Sequence, residues 1–273
     1  MRATLCKIAL ALFTLVSVSD AQTKIIYLTF DDGPQPGTND VLDVLKEEGA
    51  HGIFFLTGSN AISMGGIEGQ KKVVLRELAE GHEIGNHCYV HLPMTKDQYR
   101  AAYGDLSTET QRADFHLNYN RNQSEFARRL AMPDLKFQFA RLPGDGSTFP
   151  HLVAETEKLG MKHFHWANEF ATNGTFKWLK NLDWNGVAGV AGDYGFLPRD
   201  GDVILFHDRH WAGEKRENLR ALIRFFKDKG YTFGKLADWK PAPPKAPKST
   251  APAKPATPAA PAAPAAPAKP AGE

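Results

Sequence analysis

The residues of this chain best suited to metal chemistry come in two tight groups. Asp31 and Asp32 stand side by side in "TFDDGP", and His87 and His91 stand four apart in "GHEIGNHCYVH". Two imidazoles and one carboxylate make a familiar zinc set with a position left open for water, and Asp32 is the natural third ligand. Adjacent carboxylates repel, and each has its pKa raised unless a cation or donor compensates; a metal held by one of them is such a cation. "HEIGN" opens like the HExxH metalloprotease motif, but Asn86 stands where the second histidine is required, so that motif is absent. A spacing of four places two side chains on one face of a helical turn, the local structure expected for His87 to His91. Taken singly these features are ordinary. Asp-Gly-Pro is a turn in which an Asp bonds its own backbone, and a lone histidine pair is more often structural. Together they point to a metal centre.

Such groups need a scaffold that gathers distant segments. "KIIYLTF", "HGIFFLTG" and "GDVILFHD" are β-branched, aromatic and almost continuously apolar, which suits parallel strands buried on both faces. "TNDVLDVLKEEG", "KKVVLRELAEG" and "NLRALIRFFKDKG" carry apolar residues at helical spacing and end at Gly. Strands alternating with helices predict an α/β domain, either an open sheet or a closed barrel. In both, functional groups gather at the C-terminal ends of the strands. Asp31 and Asp32 are expected at the exit of the first strand, where Gly33 and Pro34 end it, and His207 and Asp208 at the exit of another.

The chain resembles the NodB-homology polysaccharide deacetylases, carbohydrate esterase family four. "TFDDGP", "GHEIGNHCYVH", "RLPG" (Arg141 to Gly144), "DW" (Asp183, Trp184) and "ILFHD" (Ile204 to Asp208) look like that family's five motifs in order, across most of residues 25–240. The resemblance implies a single catalytic domain folded as a distorted (β/α) barrel. It implies a hydrolase that removes N-acetyl groups from N-acetylglucosamine residues of a polysaccharide. Asp32, His87 and His91 would bind a divalent metal, zinc first, with cobalt or another divalent ion as the alternative. Asp31 would be the base that takes a proton from the attacking water, oriented and kept charged by Arg141. His207 would be the acid that protonates the departing amine, tuned by Asp183. The Gly144 amide would help hold the oxyanion, and Pro143, Gly144, Trp184 and Leu205 would contact the sugar. Trp166 and Trp211 are further candidates for a flat sugar-binding face. Three positions depart from the family pattern. Cys88 stands where Ser or Thr is usual, and packing is its expected role. Gly144 replaces an aromatic residue, which keeps the amide but removes one wall of the groove. Motif four offers more than one Asp or Trp, and Asp183 has the best spacing to His207.

The ends and the composition say where such a protein would work. Arg2 and Lys7 precede the apolar "IALALFTLVSV", and Ser19-Asp20-Ala21 offers a small-x-small cleavage site. Residues 1–21 are therefore expected to be a secretory signal peptide, which leaves no transmembrane segment in the mature chain. Residues 241–273 are almost wholly Pro, Ala and Lys, a composition expected to stay disordered and rich in polyproline II. The net charge of the whole chain is +2, but both ends are basic, so residues 22–240 are mildly acidic, which argues against nucleic acid as a partner. Of the two cysteines only Cys88 lies beyond the leader, so no internal disulfide is expected and residues 22–240 must form one core. Secretion or a periplasmic or cell-wall location makes peptidoglycan the favoured polysaccharide, with chitin or poly-N-acetylglucosamine second. A glycoside hydrolase would need carboxylates set apart across a sugar, which adjacent Asp31 and Asp32 do not suit. A carbohydrate-binding protein that kept the fold without turnover is the alternative of another class.

Overall fold

The structure is a computed structural model, described here over residues 23–60, 65–169 and 197–240. The leader, the tail, Asp183 and Trp184 lie outside these residues. All strands of the sheet run parallel: β1 (Lys24–Gly33), β2 (Gly52–Leu56), β3 (Glu83–Asn86), β4 (Phe139–Ala140), β5 (Lys162–His163), β6 (Asn168–Glu169), β7 (Val203–His207) and β8 (Tyr231–Phe233). Their spatial order is β5-β4-β3-β2-β1-β7-β6, with β8 pairing the start of β1. The sheet curls into the half-barrel expected of a distorted (β/α) barrel. The helices are α1 (Thr38–Glu47), α2 (Ile67–Ala79), α3 (Lys96–Tyr103), α4 (Glu109–Leu130), α5 (Pro150–Lys158) and α6 (Arg216–Asp228).

The alternation of side chains along β1 divides the core in two. Phe30 lies in register with Phe54 of β2 and Phe206 of β7. The three rings stack at 5.1 and 5.2 Å between centroids. They belong to the larger apolar cluster, which also takes in Val41, Leu42 and Leu45 of α1 and Leu219, Leu222 and Phe226 of α6. The other row holds Tyr27, Ile53, Phe55 and Val203, which with Phe164 and Leu236 form a smaller cluster. Asp31 continues this second row and lies in register with both Phe55 and His207. The strand that builds the core therefore also delivers the first carboxylate.

Two expectations need adjusting. The helix read from "KKVVLRELAEG" begins earlier, at Ile67. The Asp pair does not follow the first strand but lies within it, because β1 continues to Gly33 by pairing Leu56.

Phe30 anchors a three-strand aromatic stack at the root of the Asp pair. Phe30→Ala is expected to lower the unfolding free energy by about 3–5 kcal/mol in urea titration, the usual cost of an emptied aromatic site.

Candidate functional site

Successive strand residues point to opposite faces, so Asp31 and Asp32 could not share a site on a regular strand. The register passes from Asp31↔Phe55 to Gly33↔Leu56 and skips Asp32. Asp32 has φ 69°, the left-handed region, and is the extra residue of a bulge. That turn of the backbone brings the second carboxylate to the side of the first. Asn60 holds the bulge by donating to the Asp32 carbonyl at 2.5 Å.

The histidines come from the segment after β3. The expected helical turn is not there: residues 87–94 carry no helix, and Cys88 has φ 62°. The reason is a side-chain network. Asn86 Oδ1 accepts from the Cys88 amide at 2.9 Å and from Asn122 of α4 at 2.8 Å, and Asn86 Nδ2 donates to the Tyr119 carbonyl. Asn118 accepts from the amides of Tyr89 and Val90. Helix α4 thus sets the loop that carries both histidines. The Cys88 thiol is buried and donates to the Val90 carbonyl at 3.1 Å. Burial, and then the Asp32 charge, push that thiol well up in pKa, so it packs as a neutral group.

Three ligand atoms converge. Asp32 Oδ1 lies 3.0 Å from His91 Nε2 and 3.5 Å from His87 Nε2, and the two Nε2 atoms are 3.0 Å apart. Each of Asp32, His87 and His91 offers a ligand atom within 4.8 Å of the others'. Asp32 Oδ1 is buried and makes no hydrogen bond among the described residues, the state of an oxygen placed for a cation. His87 Nδ1 donates to the Arg141 carbonyl at 2.9 Å, which leaves the Nε2 lone pair for the metal. Burial, and then His91, push His87 down to about 3, so it is neutral at pH 7 as a ligand must be. Burial works against the Asp32 anion, but His91, His87 and His207 hold its carboxyl well below the usual range. Burial likewise opposes charge on His91, and Asp32 and Asp31 override it to raise its pKa. The donor set fits a divalent metal such as zinc.

Asp31 borders that set with one oxygen and turns the other to a guanidinium. Its Oδ1 accepts from Arg141 Nη1 at 2.7 Å, and its Oδ2 lies 3.5 Å from His87 Nε2. Arg141 is fully buried, donates also to Thr29 Oγ1 and the Phe164 carbonyl, and lies 4.2 Å from the Phe55 ring centroid. Burial raises the Asp31 pKa, and Arg141 opposes the rise. His207 Nε2 is 3.8 Å from Asp32 Oδ2, and its Nδ1 has no partner among the described residues. Burial pushes His207 down to about 4 although Asp31 and Asp32 pull the other way. Among the described residues nothing holds it as a standing imidazolium. Asp208, beside it, is buried, accepts from Thr38 at 2.5 Å, and is pushed by burial up to about 7.

A cavity of about 240 Å³ opens over these groups, lined by Asp31, His87, His91 and His207 together with Gly144, Leu205 and Trp166. Of the expected sugar contacts, Gly144 and Leu205 are in this wall. Pro143 is buried beneath, where its carbonyl accepts from Tyr99. Trp211 is fully buried against Phe206 and belongs to the core. His210, which its place just after His207 made a candidate for the lining, is in the wall, and three further residues line the cavity that the motifs did not single out: Met94, Glu169 and Arg209. Arg209 Nη1 donates to Asp32 Oδ2 at 2.6 Å. The sequence signal for it was its place directly after "ILFHD".

Comparison with known proteins agrees with this geometry. The sequence profile of the family described as polysaccharide deacetylase matches residues 19–162. A chitooligosaccharide deacetylase of Bradyrhizobium sp. (strain ANU 289) is 28% identical over 205 residues, covering 74% of this chain and 78% of that protein. A peptidoglycan-N-acetylglucosamine deacetylase of Listeria monocytogenes is 41% identical over 93 residues, 34% of this chain and only 18% of that protein's length. Among solved structures, a family 4 carbohydrate esterase from Streptomyces lividans in complex with acetate superposes with TM-score 0.55 at 21% identity, covering 78% of this chain and 93% of the other.

The loop geometry rests on Asn86 more than on the histidines it carries. Asn86→Leu, which fills the space but strands the Cys88 and Asn122 donors, is expected to cost about 2–4 kcal/mol. It should also weaken zinc binding at least tenfold in competition with a chromophoric chelator, with both histidines intact.

Proposed function

The chain belongs to the polysaccharide deacetylase family, and from that premise we propose that it is a secreted, metal-dependent hydrolase that removes N-acetyl groups from N-acetylglucosamine in peptidoglycan. The observation that carries this reading is the meeting of two separate units in one cavity. Asp32, His87 and His91 form a cation site, and beside it Asp31 is tied to Arg141 with one oxygen facing inward. The likeness of one stretch to a peptidoglycan deacetylase supports the substrate, as does the secretory leader read at residues 1–21. The chitooligosaccharide deacetylase relative makes chitin oligomers the natural comparison.

Zinc bound by Asp32, His87 and His91 would polarise the acetyl carbonyl and bring the pKa of water towards about 7. The protein's own residues supply the remainder. Arg141 fixes Asp31 Oδ1 and leaves Oδ2 to accept the proton of the attacking water. Burial raises the basicity of Asp31 and the guanidinium keeps it ionised, the balance a base working near neutral pH needs. His207 lies in register with Asp31 and is the candidate donor to the leaving amine. Burial pushes it down to about 4, so the proton it passes to the amine would be the one Asp31 takes from the water. Gly144 sits in the cavity wall as the expected oxyanion donor, and Leu205 and Trp166 supply apolar surface for the sugar.

Acetate release from peptidoglycan and from chitin oligomers, with and without chelator and added zinc, tests the reading. Zinc-restored release is expected, faster from peptidoglycan. Asp31→Asn should lower kcat by about 10²–10⁴-fold while zinc still binds. Glycan binding with zinc in place but no acetate from any polymer would sink the proposal in favour of a non-catalytic binder.

The metal site has a pH signature. A proton on His91, whose pKa is raised above its usual 6.5, competes with the metal, whereas His87 at about 3 does not compete near neutrality. Apparent zinc affinity should therefore fall about tenfold per pH unit below the His91 pKa and level off above it. Chelator competition between pH 5.5 and 8.5 reads this directly, and a slope of two protons would contradict it.

A further inference from the structure

Arg209 stands in the 3₁₀ turn Asp208–Trp211 that follows β7. One of its amino groups pairs with Asp32 Oδ2, while Asp32 Oδ1 faces the histidines. Unlike Arg141, its side chain is 48% exposed and lines the cavity. Its Nε and Nη2 have no partner among the described residues. Lys215, in the next turn (Gly213–Lys215), is exposed and makes no ion pair among the described residues. Both cations act on His210: burial first, and then Arg209 and Lys215, push it down to about 4. At this rim of the cavity Arg209 is therefore a half-exposed cation beside a neutral imidazole, and Glu169 and Trp166 line the same cavity.

A neutral glycan offers nothing for such a rim to pair with. A guanidinium with one edge open to solvent takes a carboxylate through two parallel N–H···O bonds. On the deacetylase reading, we propose that Arg209 makes this site selective for an N-acetylated glycan that carries a carboxylate on the sugar next to the one losing its acetyl group. Lys215 adds long-range attraction for the same charge. Glycans whose lactyl ether carboxylates are free have this chemistry; chitin and lactyl groups already amide-linked to a peptide do not.

The test uses the zinc-loaded protein and its Arg209→Gln, Arg209→Lys and Lys215→Gln variants. Substrates are a tetrasaccharide of alternating N-acetylglucosamine and lactyl-bearing sugars, the same molecule with its carboxylates converted to amides, and chitotetraose. Acetate release and calorimetric binding are both measured, and zinc content is matched because Arg209 touches Asp32. Wild type should prefer the acid to the amide about tenfold, mainly in KM, the scale of one charge-assisted pair at a partly exposed site. Arg209→Gln should reduce that ratio to about 1–2, Arg209→Lys should keep part of it, and Lys215→Gln should trim it and flatten its salt dependence. Equal handling of acid and amide by wild type would overturn the proposal. So would an Arg209→Gln protein that loses the same factor on both, since Arg209 would then serve Asp32 alone. Loss of an acid preference in binding by Arg209→Gln, with no acetate from any substrate, would leave the carboxylate site standing and remove the deacetylase reading.

Discussion

Consecutive residues of a strand point to opposite faces, and the candidate site depends on β1 breaking that rule at Asp32. Without the bulge, Asp32 would follow Phe30 into the aromatic stack beneath the helices, where an ionised carboxylate has no partner and costs several kcal/mol. With it, two carboxylates from adjacent positions enter one cavity with different surroundings. Asp31 meets a buried guanidinium, and Asp32 meets two imidazoles and the edge of Arg209. Two acids with one sequence address therefore acquire different proton affinities, Asp31 raised and Asp32 lowered. Separation of roles between neighbouring acids follows from environment rather than residue type.

Compensation of charge explains much of the surrounding architecture. Arg141 comes from the far side of β3, and its burial is tolerable only because Asp31, Thr29, the Phe164 carbonyl and the Phe55 ring all meet it. Removing either member of such a pair leaves the other charge buried alone, a cost of about 3–5 kcal/mol. The same carbonyl-side contact of Arg141 orients His87. One residue thus disciplines a member of each unit: the base through its side chain and the metal ligand through its backbone. The two units are mechanically joined although their chemistry differs.

Much of this was legible in residue types and spacing. Asp31, Asp32, His87 and His91 stood out because a carboxylate pair and a histidine pair at ligand spacing occur together, and β1, β2 and β7 because their long apolar runs suit buried strands. The two-residue strands β4, β5 and β6 carry no periodicity to read. Helix α4 is different: its buried Phe115, Tyr119, Asn122 and Phe126 fall at helical spacing, but they are few in a segment crowded with charged and polar residues. The helical turn predicted for His87 to His91 failed for a non-local reason. A spacing of four suits a helix, but the Asn86 side chain, fixed by Asn122 more than thirty residues away, captures the Cys88 amide and turns the backbone left-handed. Arg209 and Glu169 were missed because a single charge has no pattern until the fold supplies its neighbours.

The departure at Gly144 and the course of the histidine loop are one feature seen from two sides. Gly144 has φ 49°, and a Cβ there would lie 2.3 Å from the Met94 carbonyl oxygen. That carbonyl in turn accepts from the Asp145 amide at 2.7 Å. A bulky side chain at 144 and a loop packed this closely are mutually exclusive, because no rotamer relieves a clash at Cβ. The loop has taken the space, and Met94, 42% exposed, lines the cavity. Position 144 thus carries no ring, and a flexible thioether that adapts to irregular surface is in the lining instead. The large aromatic ring among the described lining residues is Trp166, and Glu169 and Arg209 line the same cavity. The described lining is consequently richer in polar and charged groups than in large rings.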